Sequence, residues 1–416
     1  MAMARRGLFY TFLTIYLGDV LGLSVTATTL LASLSMIANS VSQTFVWGKI
    51  SDKYQVRTSL VVIGETIAAV GYILIYFLHV HLLGTHGPAA AAYSIIFGLS
   101  LLEFFWSMSN LGWSALMSDL TTIKERGKFV GAVSSIGGVG RIVGITVAGV
   151  LYGLGGEAAG FKNGMLFFFA AGIMLISAIL IWVGTRQPEQ ALKERSTSKA
   201  SIEKSVSSWS NFDYKAFYWF LACIFIVGIG ANSILQIFPR YLKVPSAIGA
   251  TDLEVSLVRD SASVATIVFS LLAGPLADRV GGKSALGLGL ALATVTPLLY
   301  IFVQNVPQMI IINSLNGVSM ALMNTCGYLL AANLIPTEFR GRLFGQYNAV
   351  TYVSFGIAGT FVGGPIADFL ISTGATKAAA FATTFQVASI ISLIGTLMFI
   401  AKVKGATRMD QKTEIQ

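Results

Sequence analysis

The chain has 416 residues, of which 55% are hydrophobic and 11% are charged, and its mean hydropathy is +0.73. A soluble domain carries about 25% charged residues, so this composition excludes the water-soluble classes of protein. At about 20 apolar residues for each bilayer crossing, the length leaves room for roughly a dozen spans and for no large soluble domain. We therefore predict an all-α integral membrane protein.

Apolar runs separated by Gly, Pro or charged residues predict twelve transmembrane helices. Six lie near residues 1–18, 24–46, 58–78, 90–117, 128–153 and 164–184, and six more near 215–241, 253–274, 283–303, 308–335, 343–370 and 376–402. The segment between these two sets is polar, charged and rich in Ser, which is typical of a linker. We thus predict a six-helix bundle over 1–184, a cytoplasmic linker over 185–214, a second bundle over 215–402 and a cytoplasmic tail over 403–416.

The formal net charge is +9, and the distribution of the basic residues explains this surplus. Twenty of the 28 Lys and Arg residues fall in one alternating set of connections, which includes the linker and the tail, and four fall in the other set. The positive-inside rule therefore places the linker and both termini in the cytoplasm, and we expect a multi-pass protein of the plasma membrane in contact with lipid. Because topology accounts for the basic residues, nucleic acid is not an expected partner.

Two motifs recur between the halves of the chain. Gly48-Lys-Ile-Ser-Asp52-Lys53 recurs as Gly274-Pro-Leu-Ala-Asp278-Arg279, and Arg126-Gly-Lys recurs as Arg340-Gly-Arg. Duplicated six-helix halves have parallel topology, related by a pseudo-twofold axis along the membrane normal. The first motif, which extends to Arg57 and Lys283 in its two copies, resembles the cytoplasmic signature of the major facilitator superfamily.

That resemblance covers essentially the whole chain, and it implies the two-bundle fold and transport by alternating access. It also implies that the two motifs latch the halves together on the cytoplasmic side. A carboxylate is stabilised at the positive N-terminal end of a helix, so we expect Asp52 and Asp278 to contact the starts of the eleventh and fifth helices. Plain topogenic charge is the alternative. The candidate gating residues are Gly48, Asp52, Lys53, Arg57, Arg126, Gly274, Asp278, Arg279 and Arg340.

The fifth predicted helix carries a ladder of glycines, Gly131, Gly140, Gly144 and Gly149. The ladder resembles a signature of antiporters of the superfamily, but Ile145 stands where that signature has proline. Small residues at such spacings also let helices approach closely. Export and close packing are therefore both open interpretations.

Ionisable groups in mid-membrane are costly unless they are paired or hydrated, so each is a functional candidate. Glu103 on the fourth helix and Arg141 on the fifth lie at similar depth, and we expect them to pair. Glu103 and Asp260 are candidate proton carriers, whereas a static structural pair is the alternative for Glu103. Arg5 and Arg6 belong either to the cavity or to an ordinary basic flank of the first helix.

Polar and aromatic groups deep in apolar runs predict the substrate site. In the family the first, fourth, seventh and tenth helices line the central cavity, and on the fourth helix Glu103, Trp106, Asn110 and Trp113 share one face. Such a face suits a solute with apolar and hydrogen-bonding parts, although hydrogen bonds that only hold helices together are the alternative. The candidate substrate-binding residues are Tyr10, Thr14, Trp106, Asn110, Trp113, Arg141, Asn232, Gln236, Asn313, Asn316 and Asn324.

The remaining reactive side chains predict no cofactor and no metal site. His79, His81 and His86 are expected in an external loop after the third helix, and Cys223 and Cys326 are expected to be buried and inert. A nucleotide-binding signature of the P-loop type is absent from the sequence.

We predict a monomeric secondary transporter rather than an enzyme, with protons and a small organic solute as its ligands and with efflux of amphipathic compounds favoured. Proton-coupled uptake of a sugar or organic anion is the alternative. A transporter-like solute receptor or a channel is a further alternative.

Overall fold

A computed structural model describes residues 1–54, 57–120, 123–184, 214–335 and 340–403 of the chain. Every regular element within these ranges is helical. Eleven segments among the described residues are long and apolar enough to cross a membrane. The first helix is not among the eleven, and it carries Arg5 and Arg6 in an otherwise apolar sequence.

Sixteen α-helices lie within the described ranges. They are α1 (Ala2–Ile15), α2 (Val25–Ser42), α3 (Gly48–Tyr54), α4 (Arg57–Thr85), α5 (Pro88–Leu120), α6 (Ile123–Gly153), α7 (Ala159–Lys162), α8 (Met165–Gly184), α9 (Tyr214–Ser233), α10 (Phe238–Lys243), α11 (Asp252–Val280), α12 (Gly282–Phe302), α13 (Val306–Leu334), α14 (Arg340–Ala358), α15 (Gly364–Ser372) and α16 (Lys377–Lys402). Three π-helical stretches extend these spans: Tyr16–Val20 follows α1, Gln43–Trp47 joins α2 to α3, and Gly359–Gly363 joins α14 to α15.

Side-chain caps determine where several helices begin. The Ser24 hydroxyl accepts a hydrogen bond from the Ala27 N–H at 3.2 Å and so caps α2. The Asn305 side chain caps α13 in the same way by accepting from the Gln308 N–H at 3.0 Å. Such caps satisfy N–H groups that have no partner within their helix.

Contacts divide the chain into two compact units. Unit 1 consists of the described residues within 1–206, 235–260 and 359–381, and unit 2 consists of those within 207–234, 261–358 and 382–416. Unit 1 therefore includes α10, the first residues of α11, α15 and the first residues of α16. The predicted boundaries of the two bundles and the linker stay a prediction.

In unit 1, α1 packs along α6, and α4 packs along α5 and α8. Gly140 and Gly144 of the glycine ladder lie in the first of these contacts. A Cβ atom on Gly144 would meet the carbonyl oxygen of Ala4 and would lie 2.9 Å from the backbone nitrogen of Leu8. A Cβ on Gly149 would meet the Ser256 side chain. Close packing is thus one role of the ladder, and its association with export stays a prediction.

In unit 2, an apolar core forms between α9, α12, α13 and the ends of α14 and α16. The ring of Phe220 stacks on that of Tyr347, with their centroids 5.8 Å apart. Cys223 and Cys326 are buried and free, as predicted. Their burial among apolar side chains keeps both thiols away from solvent.

The histidine prediction is wrong for two of the three residues, because α4 continues to Thr85 and contains His79 and His81. His79 is fully buried. Its Nδ1–H donates to the carbonyl of Ala91 at 3.1 Å, so its Nε2 accepts from the Tyr16 hydroxyl at 2.8 Å. His79 is therefore a satisfied histidine of the core.

Candidate functional site

A buried ion pair joins α1 to α5. Arg5 Nη2 lies 3.4 Å from Glu103 Oε1, and the two side chains are 0% and 7% exposed. Arg5 also donates to the Tyr72 hydroxyl at 2.7 Å. Glu103 accepts further hydrogen bonds from Tyr10 at Oε1 and from Asn39 at Oε2, each at 3.2 Å. Both oxygens of this carboxylate therefore have partners.

The prediction that Glu103 pairs with Arg141 is wrong, because Arg5 occupies that place. The close approach of α1 to α6 explains the difference: a Cβ on Gly7 would meet the carbonyl oxygen of Arg141. The α1 backbone thus packs against α6 at the level of Arg141 and brings Arg5 to Glu103. Arg141 is half-buried and interacts electrostatically with Asp260 instead.

A second buried carboxylate, Glu65 on α4, lies beside this pair and is 3% exposed. Its Oε1 accepts from the Ser109 hydroxyl at 2.6 Å and from the Trp106 indole N–H at 3.2 Å. Its Oε2 is buried and has no hydrogen-bond partner. The sequence-based prediction misses Glu65, although a carboxylate within the third predicted helix is the same signal that identified Glu103.

Trp106 connects the two carboxylates. Its indole donates to Glu65, and the Cζ atom of Arg5 lies 4.6 Å from its ring centroid, a distance typical of a cation–π contact. The exposed Arg6 approaches the same ring, with its Cζ 5.0 Å from the centroid. We define the Arg5 cluster as Arg5, Tyr10, Asn39, Glu65, Tyr72, Glu103 and Trp106. Asn39 and Tyr72 are further members that the sequence-based prediction misses.

Three other predicted residues lie on the same helices as the cluster. Asn110 and Trp113 follow Trp106 along α5 and are half-buried. Thr14 on α1 is buried, and its hydroxyl has no hydrogen-bond partner. Their role in substrate binding stays a prediction.

Asp260 on α11 is 7% exposed and contacts α6. Its Oδ2 accepts from the Thr146 hydroxyl at 2.8 Å, whereas its Oδ1 is buried without a hydrogen-bond partner. Arg259 and Arg141 are the basic groups that interact with it electrostatically. The structure thus places this predicted proton carrier in a nearly dry environment.

The predicted residues of the seventh and tenth helices have mostly local partners. Asn313 accepts from the Tyr300 hydroxyl at 2.8 Å and donates to the Ser261 hydroxyl at 3.4 Å. Asn232 donates to the Gly228 carbonyl of its own helix at 2.8 Å. Asn313 thus makes the hydrogen bonds between helices that the alternative interpretation expects, whereas the Asn232 bond lies within one helix. Asn316 is half-buried, Asn324 is exposed, and Gln236 has a buried Oε1 without a hydrogen-bond partner.

A charged cluster that the sequence-based prediction misses lies after α1, within unit 1. Asp19 accepts from Arg240 Nη2 at 3.1 Å and from Arg240 Nε at 3.3 Å. Lys377 Nζ is 3.1 Å from the same carboxylate. Nearby, Asp368 on α15 accepts from the N–H groups of Val25 and Thr26 at 2.7 and 2.8 Å, and so caps α2. These contacts join segments from the two halves of the sequence.

Several candidate gating residues lie outside the part of the chain whose side chains are described: Asp52, Lys53, Arg57, Arg126 and Arg340. Gly48 begins α3, and Gly274 lies in α11 with open space where a Cβ would be. Asp278 and Arg279 are exposed near the end of α11. The cytoplasmic latch stays a prediction.

A bundle of apolar helices with a buried charged cluster is typical of a membrane transporter. The family profile described as Major Facilitator Superfamily matches residues 1–246 and 244–415. The chain belongs to this superfamily. The predicted all-α fold class, with two bundles of transmembrane helices, is confirmed, and as a member of this superfamily of membrane transporters the chain is a multi-pass membrane protein rather than an enzyme.

Relatives within the superfamily include proteins named for drug resistance. Multidrug resistance protein 2 of Bacillus subtilis (strain 168) is 27% identical over 271 residues, which cover 62% of each chain. Quinolone resistance protein NorA of Staphylococcus aureus is 25% identical over 145 residues, which cover 35% of this chain and 36% of NorA. The chain thus spans less than two thirds of the length of either relative.

Solved structures of other superfamily transporters share the fold over nearly the whole chain. The nucleoside transporter NupG superposes with a TM-score of 0.69 at 15% identity, covering 97% of this chain and 96% of NupG. A D-xylose-proton symporter has a TM-score of 0.69 at 15% identity and covers 97% of both chains. At such identities the likeness shows the fold alone.

Proposed function

We propose that this superfamily member is a proton-coupled exporter of amphipathic organic compounds that works by alternating access. The Arg5 cluster is the observation that carries the proposal. It combines ionisable groups with aromatic surface where α1 meets three helices of membrane-spanning length, and such groups mark ion and substrate pathways. The two relatives named for drug resistance support export as the direction.

Glu103 is the proposed coupling residue. Its carboxylate accepts hydrogen bonds from Arg5, Tyr10 and Asn39. A proton on Glu103 removes the charge that holds Arg5, and a cationic solute at the Glu103 carboxylate displaces Arg5 as well. Proton binding and binding of a cationic solute therefore compete at one carboxylate, which is the requirement for exchange. Asp260 is the proposed second proton carrier.

Trp106 and Tyr10 are the proposed contacts for the apolar part of the substrate. Both rings lie at the ion pair, so a solute with a polar and an apolar part would contact both at once. The other predicted binding residues that we propose are Thr14, Asn110, Trp113, Arg141, Asn232, Gln236, Asn313, Asn316 and Asn324.

Two gates are proposed for alternating access. By the positive-inside rule, Asp19, Arg240 and Lys377 lie on the external side, where their ion pairs hold the closed gate. On the cytoplasmic side we propose that Asp52 and Asp278 latch the halves.

A vesicle experiment tests the exporter proposal. The purified chain is reconstituted into vesicles with its cytoplasmic face outward, the interior is made acidic, and uptake of a lipophilic cationic dye is followed. An exporter that exchanges protons for the dye is expected to accumulate the dye above the level of protein-free vesicles. Dissipating the pH gradient should abolish this accumulation.

Glu103→Gln provides the coupling test, and Glu157→Gln, which changes an exposed glutamate, is the matched control. The first variant is expected to lose gradient-driven accumulation while it still exchanges dye across the membrane. The second should behave like the wild type. Uphill transport by Glu103→Gln at the wild-type rate would exclude Glu103 as the proton carrier, and an absence of accumulation by folded wild-type protein would contradict export of this class.

A further inference from the structure

We propose that Glu65 is a second proton-exchanging carboxylate of the Arg5 cluster, and that it holds a proton while Arg5 is bound to Glu103. The inference deepens the proposed function, on which its role in transport rests. It starts from the balance of charge: the cluster contains two buried carboxylates, Glu65 and Glu103, and one buried guanidinium, Arg5. An unpaired buried charge is strongly unfavourable, so one of the two carboxylates is expected to be neutral.

The hydrogen bonds identify which carboxylate is neutral. Glu103 has donors at both oxygens, and one of them is the charged Arg5. Glu65 has only the neutral donors Ser109 and Trp106, both at Oε1, and its Oε2 has no hydrogen-bond partner. An ionised carboxylate accepts hydrogen bonds at both oxygens, whereas a carboxylic acid carries a proton on one of them. Since no donor reaches Oε2 of Glu65, the geometry places the proton on that oxygen.

The surroundings of Glu65 offer one nearby buried cation. Arg5 and the N-terminal amine are the charged groups at the start of α1 that interact with Glu65, and the exposed Arg6 lies over the Trp106 ring. Tyr10 and Glu103 contact Arg5. Tyr72 lies on the same helix as Glu65, and α8, which packs against that helix, contains no titratable residue. Arg5 is therefore the group that can neutralise Glu65 once the proton has left.

Arg5 has a donor available for this purpose. Its Nε is buried and has no hydrogen-bond partner, and the same is true of Oε2 of Glu65. Both residues contact Trp106. When the proton leaves Oε2 for water, the new carboxylate can accept from Arg5, and Glu103, having lost Arg5, then takes up a proton from water. In either arrangement the two carboxylates share one guanidinium and one proton.

Infrared spectroscopy of the full chain in lipid tests the protonation directly, because the C=O stretch of a carboxylic acid is resolved from the stretches of a carboxylate. Labelling glutamate with 13C at the side-chain carboxyl shifts the glutamate bands away from those of Asp260. At neutral pH, Glu65→Gln is expected to remove a carboxylic-acid band that carries the isotope shift. The control Glu157→Gln is expected to remove a carboxylate band.

Glu103→Gln tests the sharing of Arg5. This variant frees Arg5 to bind Glu65, so the carboxylic-acid band is expected to be lost at the same pH. A role of Glu65 in folding alone would not make its band depend on Glu103. If Glu65→Gln does not fold, the labelled wild type still decides, because the absence of any isotope-shifted carboxylic-acid band at neutral pH overturns the proposal.

Loss of a carboxylate band in Glu65→Gln would likewise overturn it. A carboxylic-acid band that persists in Glu103→Gln would overturn the sharing of Arg5. The readout requires no substrate, so it is independent of the dye experiment. If the dye does not accumulate but the Glu65 carboxylic-acid band is present, the exporter proposal is rejected and the protonation of Glu65 is retained. If the dye accumulates but the band is absent, only the protonation of Glu65 is rejected.

Discussion

The contact between α1 and α6 predicts opposite effects for two glycine-to-alanine substitutions on the same helix. A Cβ at position 144 would meet the carbonyl oxygen of Ala4 and the backbone nitrogen of Leu8, so neither neighbour can turn away as a flexible side chain would. A Cβ at position 140 would lie 3.7 Å from the nitrogen of Ala4, which is an ordinary contact. Gly144→Ala should therefore destabilise the protein, whereas Gly140→Ala should not.

The expected magnitudes follow from two general terms. Replacing a helical glycine by alanine without strain stabilises a protein by about 0.4–1 kcal/mol. Overpacking of a tight contact costs typically about 1–3 kcal/mol. Gly140→Ala should therefore be neutral to slightly stabilising, and Gly144→Ala should lose about 1.3 kcal/mol, the difference between the midpoints of the two ranges.

Thermal unfolding of the purified protein, followed by tryptophan fluorescence, measures this difference, and transport provides a second readout. Ala4 and Leu8 flank Arg5, so moving α1 away from α6 also disturbs the 3.4 Å contact between Arg5 and Glu103. Gly144→Ala should therefore weaken gradient-driven accumulation of dye as well. Equal stability of the two variants would refute the reasoning from close approach.

Three further substitutions test separate parts of the molecule. Asp260→Asn keeps a partner for Thr146 but cannot ionise, so it should fold and lose gradient-driven dye accumulation; accumulation at the wild-type level would exclude Asp260 from proton coupling. Asp19→Asn removes the charge that two basic side chains share, and it should speed the labelling of a cysteine introduced at Ser33; an unchanged rate would argue against an external gate there. Asp52→Asn should raise the accessibility of cysteines on the cytoplasmic side, and no change would support a purely topogenic charge.

Most helices could be predicted from the sequence, because each span needs a long apolar run and because charges, Gly and Pro mark the breaks. The end of α4 could not. The polarity of His79 and His81 suggests a loop, but the backbone hydrogen bonds of a helix do not depend on the polarity of its side chains. His79 remains in the helix because Tyr16 and Ala91 satisfy its ring nitrogens.

The partner of Glu103 could not be predicted for a different reason. Position along a helix gives the depth of a residue but not its direction around the bundle, and both Arg5 and Arg141 were available. The contact of Gly7 with the backbone of α6 selects Arg5, and this contact becomes visible only when the two helices are packed. Glu65 could have been predicted as a partner of Trp106, because a buried indole N–H requires an acceptor and Glu65 supplies it.

In the proposed alternating access, the cap that Asp368 places on α2 would make movement at this end of the protein depend on hydration. If α15 separated from α2, the N–H groups of Val25 and Thr26 would lose their carboxylate and would have to be solvated by water, as would the carboxylate itself. Separation therefore takes up water molecules and closure releases them. A membrane-impermeant osmolyte, which lowers the activity of water, should shift this equilibrium towards the closed form without touching the substrate site.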